Sequence, residues 1–519
     1  MNYNSLFRFF RRSESFRYGF IASFILNIFT KALSFLTSIL TAFYFGSTRE
    51  TDLFFYAIAS VGIVSAFLIN LDATMIIPRY MKLRESGKNQ KANDLIGFIF
   101  WAYLFCMLAV AVLVFLFPIQ SIAVFSKFDK TVVVAHGGII RLSAPLMVLL
   151  TLNFFLIDLL NSFKRFSLSI VSGFISNVIN ISVILLFHTI FGVQSIIIGI
   201  LLGNLFQFLF LLYSTLRLSG CRLWPVTFPF DKKAVAYIGY SQGAYLCSMF
   251  GGFFPLYTLS GYSSGIISAL GYGQRIMDLL TFVLVVQFSN VLAIKLNEQF
   301  IENDYHKLRT SFLSIGRTAL FFAIPVAVLV SVLCFEFVSV LFLRGEFSYE
   351  AGLEASRFTR IFVLIIPLLV VHTMVARLFM AAEKIDKSFG FQSIMGIMSG
   401  TICAGGIHFF GPHAFPYALL LFYGINLLSV KLLLGKIFPW LRGYYRLLLF
   451  GILIAVLNSA IIPVDLKLKA TLGEVHPVKI IVIISFLHLT AFGIIAYILK
   501  VYRPFNETIE RLVLHRMSR

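Results

Sequence analysis

The chain alternates between long apolar stretches and short polar gaps. From Ile21 to Val501, runs of eighteen or more mainly apolar residues recur. As helices rising about 1.5 Å per residue, such runs cross the roughly 30 Å of bilayer hydrocarbon. Backbone groups in lipid are satisfied only in helices or closed barrels, and the ten-residue alternation of a barrel strand is absent. The pattern therefore predicts an all-α polytopic membrane protein of about fourteen transmembrane helices. The expected spans are 19–45, 53–77, 95–117, 139–161, 167–188, 194–216, 234–259, 266–293, 313–343, 356–381, 388–410, 414–435, 444–463 and 478–500. The ninth is long for one crossing and is expected to tilt or to extend beyond the bilayer. No gap has room for a soluble domain.

Charge sharpens this picture. Of 519 residues, 13% are charged, and the formal net charge is +20. In a soluble protein that balance would suggest nucleic acid; here the charge lies in the gaps, and topology explains it. With the N-terminus inside, the cytoplasmic gaps and tails, with Arg446 and Lys500 at the adjoining span ends, hold 28 Lys and Arg against six in the opposite loops. An error of one helix would scramble that alternation. The spans group as six, six and two: an N-terminal lobe 1–217, a C-terminal lobe 218–437, and a final pair with a cytoplasmic tail, 438–519. Two six-helix lobes share one orientation, as in parallel-repeat transporters. The turn Tyr44-Phe-Gly-Ser has a weak counterpart in Leu259-Ser-Gly-Tyr. The five cysteines show no paired spacing and read as small apolar residues. A basic N-terminus (Arg8, Arg11, Arg12, Arg17) precedes an apolar run too long for a cleaved signal, which is expected to stay as the first helix.

Four segments resemble the MurJ (MviN) family of lipid II flippases, within the multidrug, oligosaccharidyl-lipid and polysaccharide exporters. They are Phe45-Gly-Ser-Thr-Arg-Glu-Thr-Asp-Leu-Phe-Phe-Tyr-Ala57, Tyr272-Gly-Gln-Arg-Ile-Met-Asp278, Leu341-Phe-Leu-Arg-Gly-Glu-Phe347 and Ala376-Arg-Leu-Phe-Met-Ala-Ala-Glu-Lys-Ile-Asp386, in family order. The resemblance implies a MATE-like fold of two lobes plus two helices in the bacterial inner membrane. There are departures. The family's first helix carries an Arg and a second Arg about two turns later; here those positions hold Lys31 and Thr37, and a further family Arg on the second helix is Ser65.

Intramembrane charge is costly and normally faces protein or a wet cavity. Lys31, about twelve residues into the first span, reads either as a cavity contact to a lipid diphosphate or as half of a structural ion pair. Arg275 and Asp278, at i and i+3, share one helix face. The resemblance makes Arg275 a substrate contact oriented by Asp278; the alternative is a purely local pair. Asp52 resembles a family acidic residue that would gate the outer side with a basic partner, or it is a helix N-cap. Arg357 and Arg360 open the tenth span, either attracting the head group or simply solvated. Asp72 and Asp158 are read as pairing with Arg79 or Lys164 across an inner gate. Gly251, Gly252 and Pro255 form a hinge or a static kink. His372 is read as a proton-coupling group or a structural one. Arg377 is read as a topology determinant, and Glu336 as snorkelled.

No nucleotide-binding loop, catalytic triad or metal-ligand cluster is present, so neither an enzyme nor a bound cofactor or metal is expected. The resemblance implies a monomeric flippase carrying the undecaprenyl-diphosphate-linked peptidoglycan precursor, lipid II, from the inner to the outer leaflet by alternating access. It would be driven by membrane potential or an ion gradient. The missing basic residues keep another lipid-linked anionic glycan open as cargo: an O-antigen, capsule or exopolysaccharide unit. Phospholipid bilayer is the other expected partner, and nucleic acid is not. A membrane glycan polymerase would need catalytic charges in a large outer loop, and the gap 118–138 offers only Lys127, Asp129 and Lys130.

Overall fold

The computed structural model describes residues 16–218, 221, 223–224, 232–302, 304–382, 385–439, 441, 443–473 and 475–501. The expectations for Arg8, Arg11, Arg12, Arg222, Lys384, Arg442 and the tail from residue 502 lie outside them. Among the described residues all regular structure is helical, and a helix covers each of the fourteen expected spans.

In chain order the helices are α1 (Phe16–Phe45), α2 (Arg49–Leu71, continued through a π turn Asp72–Ile76 into Ile77–Glu85), α3 (Asn89–Leu116), α4 (Pro118–Phe125), α5 (Lys130–Ala135), α6 (Gly137–Ser162), α7 (Phe166–Phe191), α8 (Gln194–Leu218) and α9 (Lys232–Leu259). Then come α10 (Ile266–Thr281, a π turn Phe282–Val286, Gln287–Ile301), α11 (Tyr305–Val332), α12 (Cys334–Phe342), α13 (Tyr349–Ala381), α14 (Ile385–Phe410), α15 (Ala414–Ile437), α16 (Tyr444–Ser459), α17 (Ile462–Thr471) and α18 (Pro477–Ile498).

Among the described residues, thirteen of the fourteen expected spans are matched by a segment long and apolar enough to cross a membrane by length and composition, and the exception is α9. Its Ser241, Gln242, Gly243 and Ser248 dilute its apolar content. It nonetheless packs on α2, where Gln242 donates to the Phe67 carbonyl at 2.7 Å. The ninth expected span is not one tilted helix. It breaks at Leu333 into α11 and α12 (φ −97°, ψ 19°), since a straight helix over 313–343 would run about 46 Å. The gap 118–138 is not a loop either: Pro118 and Lys130 open the short α4 and α5, proline at the first turn being a natural start.

The chain forms two compact units: residues 1–268 with 345–347 and 392–400, and residues 269–344 with 348–391 and 401–519. Counting helices opens a second lobe at α9, whereas packing keeps α9 in the first unit. In the first unit α6 is central, covered by α2, α3 and α8, with α7 joining α8 to α1. Its core runs through Val61, Leu95, Ile96, Phe155 and Leu211. In the second unit α11 is central, against α13, α16 and the second half of α10; α15 backs α13, and α18 holds α12 and α17. The exterior is apolar: α3 leaves Phe105, Leu113, Phe115 and Leu116 exposed. A soluble protein would avoid such a surface, and lipid accepts it. The chain is a multi-pass membrane protein.

Candidate functional site

The first similar segment meets the end of the third at a junction in the first unit. The α1–α2 turn needs Gly46 at φ +61°, and Gly345 has the same φ. A Cβ on Gly46 would collide with the Glu346 carbonyl, and one on Gly345 with the Phe43 carbonyl. Only glycines allow the two turns to close so far, and the Glu346 N–H then donates to the Phe43 carbonyl at 2.9 Å. Beside this clasp, Ser47 Oγ donates to the Gly265 carbonyl at 3.0 Å and lies 2.7 Å from Ser268 Oγ.

Asp52 completes the junction. It is 0% exposed. Its Oδ2 accepts from the Gly265 N–H at 2.7 Å, and its Oδ1 from the N–H and hydroxyl of Ser268, both at 2.8 Å. The carboxylate thus sits at the N-terminus of α10, where free N–H groups and the helix dipole favour an anion. This corrects the sequence reading in two respects. The cap of α2 is Thr48, in a capping box with Thr51, and not Asp52. The carboxylate oxygens are taken by a helix terminus, so Asp52 belongs to the junction and not to a substrate contact or a pair with a basic gate residue.

Lys31 is an exposed side chain on α1, which packs on α7. Thr37 bonds back to the Leu33 carbonyl at 3.3 Å. Ser65 is buried under α6, its Oγ 3.4 Å from the Met147 carbonyl, so that position faces packing and has no room for an arginine. In the second unit, Tyr272, Gly273 and Ile276 press α10 into the interior, Gly273 so close to Thr359 and Ala355 of α13 that a Cβ would crowd them. That turns Arg275 and Asp278 to the open face. They are 4.0 Å apart and 38% and 58% exposed, a pair too loose to fix either side chain by itself.

The other candidates separate. Asp72 is fully buried at the start of the π turn, and its Oδ1 accepts from the Tyr103 hydroxyl of α3 at 2.8 Å. The expected pairing with Arg79 or Lys164 is replaced by this bond, because the turn carries the carboxyl inward. Gly251 is explained by packing: a Cβ there would meet the Gly396 carbonyl, and Gly396 and Gly400 of α14 approach Cys247 and Phe250 of α9 equally closely. Gly252 touches only Ile63, and Pro255 lies within a continuous α9. Arg357 and Arg360 are exposed, and Arg357 is tied to Glu354 at 2.6 Å. His372 Nδ1 lies 3.2 Å from Asn426 Oδ1. Arg377, read as a topology residue, donates to Ser289 and Asn290.

Two polar clusters escape sequence reasoning. Glu336, read as snorkelled, is buried and paired with Lys469 of α17 at 2.8 Å, and the same ammonium donates to the Val332 carbonyl at 3.0 Å. His488 is wholly buried, with Nδ1 2.6 Å from Asp465 Oδ2 and Nε2 3.1 Å from Asn458 Oδ1. Both clusters fasten α17 to the second unit. The signals for them were Asn458 and His488 inside the last two spans and Glu336 inside the ninth, while Asp465 and Lys469 lay in the gap between the last two.

A family model described as "Lipid II flippase MurJ" matches residues 41–494. Among relatives, a probable lipid II flippase MurJ of Aquifex aeolicus (strain VF5) is 23% identical over 428 residues, covering 79% of this chain and 81% of the relative. One of Rickettsia prowazekii (strain Madrid E) is 22% identical over 388 residues, covering 70% and 73%. Among solved structures, a lipid II flippase MurJ in an inward closed conformation superposes with a TM-score of 0.75 at 20% identity, covering 92% of this chain and 99% of that one. An inward-facing multidrug MATE transporter gives a TM-score of 0.62 at 14% identity, covering 81% and 95%.

Proposed function

Taking as premise that the chain belongs to the lipid II flippase MurJ family, we propose that it carries lipid II from the inner to the outer leaflet of the bacterial cytoplasmic membrane by alternating access. The observation that carries the reading is the family match across nearly the whole chain. The local geometry supports it. Arg275 is held on the open face of α10 by the burial of Tyr272 and Ile276, available to a diphosphate, with Asp278 one turn along. Lys31, exposed on α1, is the candidate cation of the first unit. Either a guanidinium or an ammonium suits a diphosphate that would not cross hydrocarbon unaided. The junction of Asp52, the Gly46–Gly345 clasp and the start of α10 is the outer closure that must part for release, with bending at Gly252 and Pro255 accompanying it. Membrane potential or an ion gradient drives the cycle, the protein acts as a monomer, and both termini face the cytoplasm, as the basic gaps require.

Another lipid-linked oligosaccharide is favoured by one observation: Thr37 and Ser65 stand where the family places cations, and Ser65 is sealed under α6. Depletion in the source cell separates the two. Accumulation of lipid II on the inner leaflet supports the first reading. Normal lipid II with a trapped O-antigen, capsule or exopolysaccharide precursor overturns it in favour of the second.

A further inference from the structure

The second unit holds a cationic pocket that uses none of the residues assigned to transport. His306, Arg309, Thr310, Ser314 and Arg317 recur on one face of α11, and Arg446 from the first turn of α16 closes the opposite side, around a cavity of about 280 Å³. Among the described residues, its lining contains no carboxylate. The nearby acids are engaged elsewhere: Asp304 caps α11 through the Lys307 N–H at 2.9 Å and pairs with the Lys307 ammonium at 3.1 Å, and Glu302 is 3.6 Å from the same ammonium.

Three guanidinium groups around one small cavity repel each other unless an anion joins them. Arg317 Nε makes that need specific, since it is buried with no hydrogen-bond partner among the described residues, and an unpaired buried donor of a charged group is costly. The backbone is shaped to admit the arginines: Gly443 sits at φ +102°, and a Cβ there would stand 3.3 Å from Arg309 Nη2. Gly443 also opens α16 without a side-chain cap, so the positive end of that helix adds to the pocket.

We propose that this pocket binds the phosphate of an anionic phospholipid head group. Forked guanidinium groups match phosphate oxygens in pairs, and a phosphate presents enough acceptors for three of them. The volume exceeds that of several waters, at about 30 Å³ each in the liquid, which leaves room for the glycerol ester beside the phosphate. The charge alternation along the sequence places this end of α11 and α16 on the cytoplasmic side, where anionic lipids face basic pockets between helices.

Native mass spectrometry of the full chain with phosphatidylglycerol, phosphatidylcholine or inorganic phosphate, and no lipid II, tests this independently of transport. Tight retention of phosphatidylglycerol over phosphatidylcholine is expected. Arg317→Gln and Arg446→Gln should each weaken it on the order of tenfold. Arg446 is exposed at the start of its helix, so its variant reports even where Arg317→Gln impairs folding. Inorganic phosphate that binds with the same sensitivity while phosphatidylglycerol does not would keep the anion site and overturn the lipid as its source. Equal retention of phosphatidylglycerol by the wild type and the double variant, with no phosphate binding, would overturn the site itself.

Discussion

Replacing Asp52 by Asn is the sharpest perturbation of the junction, since it keeps shape while changing charge. Asn can present one carbonyl oxygen to the N–H and hydroxyl of Ser268, which now meet Oδ1 at 2.8 Å. Its amide then faces the Gly265 N–H, 2.7 Å from the present Oδ2, donor against donor in a site that is 0% exposed. Leaving a buried N–H unpaired costs about 1–3 kcal/mol, and loss of the anion at a helix N-terminus adds about 0.3–1 kcal/mol, more when buried. A total near 2 kcal/mol raises the population of the parted junction about 30-fold. Ile267, buried in the first turn of α10, reports that opening once changed to Cys. In intact cells or right-side-out vesicles, a membrane-impermeant thiol reagent should label Ile267→Cys about 30-fold faster in the Asp52→Asn background, over a control carrying only the chain's five free cysteines. An unchanged rate, with the protein normally inserted, would refute the claim that Asp52 holds the two elements together.

Three other outcomes are expected. Gly46→Ala should abolish complementation while the protein still reaches the membrane, because a Cβ meets the Glu346 carbonyl and φ is +61°; immunoblots of membrane fractions beside growth assays check it. Lys469→Ala strands Glu336, whose side chain is 8% exposed, and should lower the thermal aggregation midpoint in detergent by the equivalent of about 2–3 kcal/mol, somewhat below a fully buried pair. The double variant Lys469→Met with Glu336→Leu should recover most of it. Arg275→Ala should eliminate complementation with normal insertion, whereas Asp278→Ala should leave substantial activity, since their 4.0 Å exposed pair is worth at most about 0.5 kcal/mol.

Hydrophobic runs were legible because each helix must satisfy the bilayer by itself, whatever surrounds it. The same logic shows why α9 was found: its own polarity argues against a span, yet the parity of basic gaps on either side demands one. What depends on neighbours could not be read. The π turns in α2 and α10, the break at Leu333 and the docking of α17 are choices made between packed helices. Asp52 stood out as an acidic residue, but its partners lie more than two hundred residues away. Gly251 reads as a hinge or a kink in one dimension, and only the fold shows that it also lies against Gly396 of α14. Arg446 was legible only as one of the basic residues at a cytoplasmic gap and Arg317 not at all, because nothing in a linear pattern tells that two helices will bring their guanidinium groups together.

The Gly46–Gly345 clasp has a consequence for how the junction meets salt and acid. It is made of main-chain atoms, so its grip carries no ionisable group. Added salt does not weaken it as it would an exposed ion pair, and acid has nothing there to protonate. Salt or acid should therefore leave this main-chain contact equally firm, and any response of the junction to either is left to ionisable neighbours such as the Asp52 carboxylate.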